Sequence, residues 1–134
     1  MPSFTGYSRI ALAQAKVMNN EMDINLNEIF KCHEDNIYEN MEGWMSRYIA
    51  NILLNIDDQH MNEAEDWIKK AIAADERNGV MFHLAQDYAL YSELSKRKGD
   101  KSKAKENLNQ AIEIFKECGS DGWVEKYQEI LAGM

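Results

Sequence analysis

The sequence contains very little of what interrupts helices or cross-links chains. Its single proline is Pro2 and only seven of its 134 residues are glycine, so long stretches are able to stay helical. Two cysteines, Cys32 and Cys118, lie far apart and fit no metal-binding or redox spacing. We interpret them as reduced, partly buried thiols. The composition therefore predicts an all-α protein with one domain, since a chain of this length buries one core but not two.

Long apolar runs and an excess of positive charge are also missing. No segment approaches the roughly 18 consecutive apolar residues of a membrane-spanning helix. The first residues, MPSFTGYSRIALAQAK, have no charged lead before a continuous apolar segment. These absences predict no membrane partner and a cytoplasmic location. The net charge of −8 argues against nucleic acid as a partner, because binding to phosphates requires a basic surface.

Recognisable catalytic motifs are absent as well. The sequence has no glycine-rich phosphate loop, no His-Glu-x-x-His and no Gly-x-Ser-x-Gly. Cys32 and His33 are adjacent, and adjacent residues of a helix point about 100° apart, so they do not form a nucleophile and its base. Asp57, Asp58 and His60 are too few ligands for a metal and are better interpreted as a polar turn. The sequence therefore predicts no catalytic residue, no cofactor, no metal and no enzymatic activity.

What the sequence does contain is apolar residues at helical spacing, in seven segments. The first runs from about Gly6 to Asn20, with an apolar face of Tyr7, Ile10, Ala11, Ala15 and Met18. The second is capped by Asp23 or Asn25 and has its apolar face at Leu26, Ile29, Phe30, His33, Ile37 and Met41, before a predicted stop at Gly43. The others are Trp44 to Ile56, Met61 to Asn78, Val80 to Lys98, a segment capped by Asp100 or Ser102 that runs to Cys118, and a last helix after Ser120 or Asp121.

The segments repeat at an offset of forty residues. Matching pairs at this offset are Tyr48 and Tyr88, Ala64 and Ala104, Ile68 and Leu108, and Ala71 and Ala111. A looser first copy places Leu26, Phe30 and His33 at the corresponding positions. Small residues at these spacings let the two helices of a hairpin approach closely. We therefore predict three hairpins, 6–42, 43–79 and 80–119, closed by a capping helix over 121–132 with a polar outer side.

The pattern Gly99-Asp100-x3-Ala104-x3-Leu108-x2-Ala111 resembles the turn and second helix of the tetratricopeptide repeat (TPR) family, and the resemblance covers nearly the whole chain. The forty-residue period, the Phe-Lys-Glu-Cys-Gly ending and Trp123 are similar to C-terminal TPR arrays of large bacterial signalling proteins. The first helices depart from the family, because Tyr91-Ser92 stands where the family has Leu-Gly. The resemblance implies a right-handed α-α superhelix of three TPR-like hairpins plus the capping helix.

Such a superhelix implies a function in binding rather than catalysis. The resemblance implies a protein–protein interaction module that holds a peptide or helix of a partner in its concave groove, with a regulatory role in bacterial signalling. The first helices of the hairpins line this groove, and the candidate residues are Ser46, Ile49, Leu53, Gln86, Ala89, Glu93, Lys96 and Arg97. The alternative is a structural spacer that forms homo-oligomers, since the first helix offers few large apolar residues and that end of the array needs a neighbour.

A cluster of cations around Gly99 allows two interpretations. Its members are Lys96, Arg97, Lys98, Lys101, Lys103 and Lys105. They either contact an acidic partner or a phosphate, or they form a solvated turn in which cations favour the C-terminal end of a helix. The solvated turn is the preferred interpretation, because no aromatic stacking platform is interleaved with the cations.

Overall fold

The computed structural model describes residues 2–21, 24–34 and 39–134, with side chains described from residue 10 onward except at 39 and 40. These residues form helices and no strand, which confirms the all-α fold class. The helices are α1 (Pro2–Met18), α2 (Leu26–Glu34), α3 (Glu39–Ile56), α4 (Met61–Asn78), α5 (Met81–Arg97), α6 (Lys101–Glu117) and α7 (Asp121–Ala132). None of the helices in this part of the chain is long and apolar enough to cross a membrane.

Neighbouring helices pack in pairs. The closest pairs are α3 with α4 and α5 with α6, and α1 packs against α2. The helix α4 also packs on α5 and joins the two longer hairpins, while α7 packs on α6. The odd-numbered helices α1, α3 and α5 contact one another in turn. They therefore form one continuous row, and this row carries the site described below.

The forty-residue offset marks positions that are equivalent in the structure. Ala64 and Ala71 of α4, like Ala104 and Ala111 of α6, are completely buried. A methyl side chain at these positions lets the preceding helix of each hairpin approach closely. The turns repeat too, because the residues after α4 and α6 include a left-handed Gly79 (φ 68°) and Gly119 (φ 70°).

Two predicted helix caps are confirmed by hydrogen bonds. Asn25 Oδ1 accepts from the backbone N–H of Glu28 at 3.2 Å, at the start of α2. Asp100 Oδ1 accepts from the backbone N–H of Lys103 at 3.0 Å, at the start of α6. Asp23, the other cap suggested for α2, lies outside the described residues. Each bond satisfies one of the N–H groups that the first turn of a helix leaves without a partner.

Gly43 does not end a helix, and the predicted boundary between residues 42 and 43 is wrong. The helix α3 begins at Glu39 and runs through Gly43, so this boundary would cut a helix, and Met41 belongs to α3. A Cβ atom at Gly43 would overlap the carboxyl group of Asp75 on α4. The glycine is therefore needed for close approach, because it leaves room for a buried carboxyl against the backbone of α3. Ile37, predicted to extend the second helix, lies outside the described residues.

The apolar face of α1 differs from the predicted one. Ile10, Ala13 and Val17 are buried against the rest of the core, whereas Ala15 and Met18 are exposed. These three buried residues have the spacing i, i+3, i+7, so they lie along one side of the helix. The prediction of a face through Ala15 and Met18 is wrong because α3 meets α1 along the neighbouring stripe. The side chain of Tyr7 lies outside those described.

Aromatic rings attach the last helix. Trp123 and Tyr127 of α7 stack on Phe115 of α6, with ring centroids 5.7 Å and 5.6 Å apart. Phe115 is completely buried in the second of the two core clusters, together with Leu84 of α5. The helix α7 therefore covers the α5–α6 hairpin through half-buried aromatic side chains, while Ile130 on the same helix stays 41% exposed.

Candidate binding groove

An open groove of about 610 Å³ runs along the row of odd-numbered helices. Five helices contribute to it: α1, α3, α5 and α7 supply most of the lining, and α6 supplies Leu108. Its lining combines aromatic and aliphatic side chains with a few charged ones. The residues used below are Met18, Arg47, Tyr48, Gln86, Ala89, Glu93, Trp123, Lys126, Tyr127 and Ile130.

The structure places three of the five predicted groove residues of α5 in this groove. Gln86, Ala89 and Glu93 all line it, each one helical turn from the next. Their side chains are only partly buried, so they are accessible to a bound molecule. The prediction for α5 therefore agrees with the position of these side chains, although their role in binding stays a prediction.

The predicted groove residues of α3 do not line the groove. Ser46, Ile49 and Leu53 are each 0% exposed, so their assignment to the groove surface is wrong. Ile49 and Leu53 share a core cluster with Val17 of α1, because α1 packs over this stripe of α3. Ser46 Oγ lies 3.3 Å from Nε2 of His33 on α2. The surface of α3 that faces the groove is instead the one that carries Arg47 and Tyr48.

Lys96 and Arg97 also lie away from the groove. Lys96 lines a separate hollow beside the end of α7. Arg97 donates to the carbonyl oxygen of Leu54 at 3.0 Å, to Asn55 Oδ1 at 3.1 Å and to Glu93 Oε1 at 3.0 Å. Arg97 therefore ties the end of α5 to the end of α3. The geometry does not place either cation on the floor of the groove.

A buried polar cluster lies beneath the groove, where α3, α4 and α5 meet. Arg47 Nη1 of α3 lies 3.3 Å from Asp87 Oδ1 of α5, and the Asp87 side chain is 0% exposed. Asp75 of α4 is 1% exposed and forms a hydrogen bond with Asp87. Among the described residues, no group donates a hydrogen bond to Oδ2 of either aspartate. Two ionised carboxylates cannot satisfy each other, because each is only an acceptor.

A proton on Asp87 resolves this conflict. Burial, followed by the hydrogen bond to Asp75 and its charge, raises the pKa of Asp87 to about 10, and the opposing effect of Arg47 is smaller. A protonated carboxyl donates one hydrogen bond, so Asp87 is able to donate to Asp75 while it accepts from Arg47. Asp87 is therefore uncharged at neutral pH.

Neighbouring aromatic groups fix the position of Arg47. Trp44 Nε1 donates a hydrogen bond to His83 Nδ1, and Arg47 Nη1 donates to the carbonyl oxygen of His83 at 3.3 Å. Burial, then the charge of Arg47, lowers the pKa of His83, which keeps the imidazole neutral and able to accept. The Arg47 side chain is only 10% exposed, and this exposed part faces the groove.

The two buried aspartates were missed in the sequence because an aspartate in an amphipathic helix normally indicates the solvated face. The repeat contains a signal for one of them. Arg47 and Asp87 are forty residues apart, so they occupy equivalent positions in successive hairpins, and Tyr127 follows at the same offset. Opposite charges at equivalent positions of stacked repeats indicate a contact. No comparable signal exists for Asp75.

The cations around Gly99 are partly neutralised within the protein. Glu65 of α4 accepts from Lys98 Nζ at 2.7 Å, from Lys103 Nζ at 3.2 Å and from Tyr91 Oη at 2.6 Å. The hydrogen bond from Lys98, then those from Tyr91 and Lys103, lower the pKa of Glu65 to about 2. Lys98 and Lys103 therefore belong to an intramolecular ion-pair network at the end of the hairpin, which neither of the two predicted interpretations included.

Glu65→Gln is expected to reduce the free energy of unfolding by about 1 kcal/mol at pH 7, a value that allows for solvent screening of the two lysines. The pKa of Glu65 is lower in the folded chain, so its stabilisation is complete above pH 4.5 and is lost as the pH falls toward 2. Urea unfolding at pH 7 and pH 3 measures the difference. The matched control is Glu63→Gln, an exposed change on the same helix, and an equal loss for both variants would contradict the network.

Other candidate chemistry does not assemble into a site. Among the described residues, no group of three or more His, Cys, Asp or Glu side chains is placed to hold a metal ion. Asp57 Oδ1 and His60 Nδ1 are 2.7 Å apart and form a local turn contact. Cys32 is buried and Cys118 is exposed, and both are reduced thiols. Comparison of the chain with protein-family models, curated proteins and solved structures gives no match.

Proposed function

We propose that this chain is a non-enzymatic protein–protein interaction module that binds a peptide or helix of a partner in the groove along α1, α3, α5 and α7. The observation that supports this proposal is the groove itself, which is open and is lined by residues of five helices. Concave surfaces with apolar walls and a few polar groups are the usual binding sites of helical proteins. The exposed apolar side chains of Met18 (58%) and Ile130 (41%) on its margin are available to contact a partner.

Glutamate substitutions on the margin of the groove test the proposal. Met18→Glu and Ile130→Glu are expected to abolish capture of proteins that crosslink to the wild-type chain in an extract of its native cell. The matched controls are Leu12→Glu, which changes a residue of α1 that is also 58% exposed, and Met81→Glu, at 39% exposure. Neither control residue lines the groove. Equal capture by groove variants and wild type, or equal loss with the controls, would exclude the groove as the binding surface.

Self-association is the second candidate, and the exposed side chain of Leu12 favours it. Leu12 lies beside a second hollow that Ile24 and Ile29 also line. If copies of the chain associate through this face, light scattering during size-exclusion chromatography will show a dimer at micromolar concentration. Leu12→Glu would dissociate that dimer, whereas Ile130→Glu would not. A strict monomer would count against this candidate and leave the groove proposal unaffected.

A further inference from the structure

We propose that the groove recognises the side-chain carboxylate of an aspartate or glutamate inside an amphipathic segment of its partner, with Arg47 and Lys126 as the cationic ligands. This inference rests on the proposed function of the groove and specifies the chemistry of its occupant.

Arg47 presents a positive charge to the groove. Its guanidinium stays protonated at any physiological pH, and its described hydrogen-bond acceptors are groups of Asp87 and His83. Both of these side chains are uncharged at neutral pH for the reasons given above. The exposed part of Arg47 therefore presents a cation to the groove, from a position that the packing around Trp44 holds fixed.

Lys126 of α7 places a second cation in the groove, over two aromatic rings. Its Nζ lies 4.9 Å from the ring centre of Trp123 and 5.5 Å from that of Tyr127. These contacts hold the ammonium over the aromatic wall of the groove without neutralising it. Arg47 lines the same groove as Trp123 and Tyr127. The two cations therefore line the same groove, one from α3 and the other from α7.

The charged side chains that line the groove are mostly cationic. The only side-chain carboxylate that lines the groove within the described residues is Glu93, and its Oε1 lies 3.0 Å from Nε of Arg97. The chain as a whole carries a net charge of −8. A net positive groove on an acidic protein selects an acidic partner segment by charge complementarity. The aromatic and aliphatic surface of Trp123 and Ile130 beside the cations requires that this segment also carry apolar side chains.

A peptide library tests the inference directly. Random 12-residue peptides are displayed without a free C-terminus and selected on the wild-type protein. We expect enrichment of aspartate or glutamate next to apolar residues. A selected peptide, synthesised with an amidated C-terminus, is expected to bind about 10-fold more weakly after Glu→Gln, because a paired charge is lost. The measurement is the Kd by titration calorimetry.

Protein variants assign the effect to the two cations. Lys126→Gln changes an exposed residue and is expected to weaken binding of the acidic peptide about 3- to 10-fold. On Arg47→Met the preference for the Glu peptide over the Gln peptide is expected to shrink, with Lys126 supplying what remains, and circular dichroism checks that this variant is folded. The matched control Lys105→Gln removes an exposed charge outside the groove and is expected to leave the Kd unchanged.

The outcomes separate this inference from the proposed function. Selected peptides without acidic enrichment, or equal affinity of the Glu and Gln forms for the wild type, would overturn the inference and leave the groove as a binding site. A Gln peptide that regains full affinity through a free C-terminal carboxylate would also overturn it. Failure to select any peptide would overturn the inference and the proposed function together.

Discussion

Asp87→Asn is expected to stabilise the protein at pH 7, and the gain should grow by about 1 kcal/mol for each pH unit between pH 5 and pH 9. The amide keeps the shape of a protonated carboxyl, since its NH2 group donates toward Asp75 and its oxygen accepts from Arg47. Wild-type folding must instead place a proton on Asp87, and this becomes more costly as the pH rises.

The direction follows from the pKa of Asp87, which is raised from 3.8 to about 10 in the folded protein. A carboxyl whose pKa is raised by folding contributes its full stability below the unfolded pKa and loses it as the pH rises toward the folded pKa. Urea unfolding of wild type and variant at pH 5, 7 and 9 gives the slope. For Asp58→Asn, an exposed change in the α3–α4 turn, the free energy of unfolding should change with pH as it does for the wild type. If the free energy of unfolding of Asp87→Asn changes with pH as it does for the wild type, Asp87 is ionised and paired with Arg47.

Gly43→Ala is expected to destabilise the protein by about 1–3 kcal/mol, although alanine is the better helix former. Its Cβ would overlap the buried carboxyl of Asp75, and Asp75 is unable to move without breaking its hydrogen bond to Asp87. The free energy of unfolding in urea measures the cost. The added Cβ atom brings both a steric conflict with Asp75 and a gain in helix propensity, and we expect the free-energy cost of the conflict to be the larger of the two.

Gly122→Ala is the matched control for Gly43→Ala. Gly122 is also inside a helix, α7, and a Cβ there meets no atom within 4 Å. This change should stabilise the protein by about 0.5–1 kcal/mol, because only the backbone entropy of glycine is removed. A stable Gly43→Ala that behaves like Gly122→Ala would contradict the close packing of Asp75 on α3.

The sequence predicted the fold best where local signals and the repeat agree. The Asp100 cap follows from residue type at the start of a helix, and the buried alanines of α4 and α6 follow from their recurrence at the forty-residue offset. Gly43 shows the limit. A glycine indicates a helix end or a close approach equally well, and only the position of Asp75 on another helix decides between them.

The groove could be predicted only in part, because equivalent positions of α3 and α5 differ in whether another helix covers them. Ile49 of α3 and Ala89 of α5 are forty residues apart and equivalent in the repeat, yet Ile49 is buried and Ala89 lines the groove. The difference is whether another helix covers the stripe: α1 packs over α3, whereas α5 faces open space. Coverage of this kind is a tertiary property, and the residue pattern within either helix does not encode it.

Chemical-shift mapping tests the central claim most directly, because a 15.5 kDa protein gives resolved amide spectra. A peptide selected on the wild type would be titrated into the isotope-labelled chain. We predict that the largest shifts fall on the odd-numbered helices, at the amides of Gln86, Glu93 and Tyr127 and at the side chain of Arg47. Shifts confined to α4 and α6, or centred on Leu12 and the α1–α2 hollow, would contradict binding in the groove.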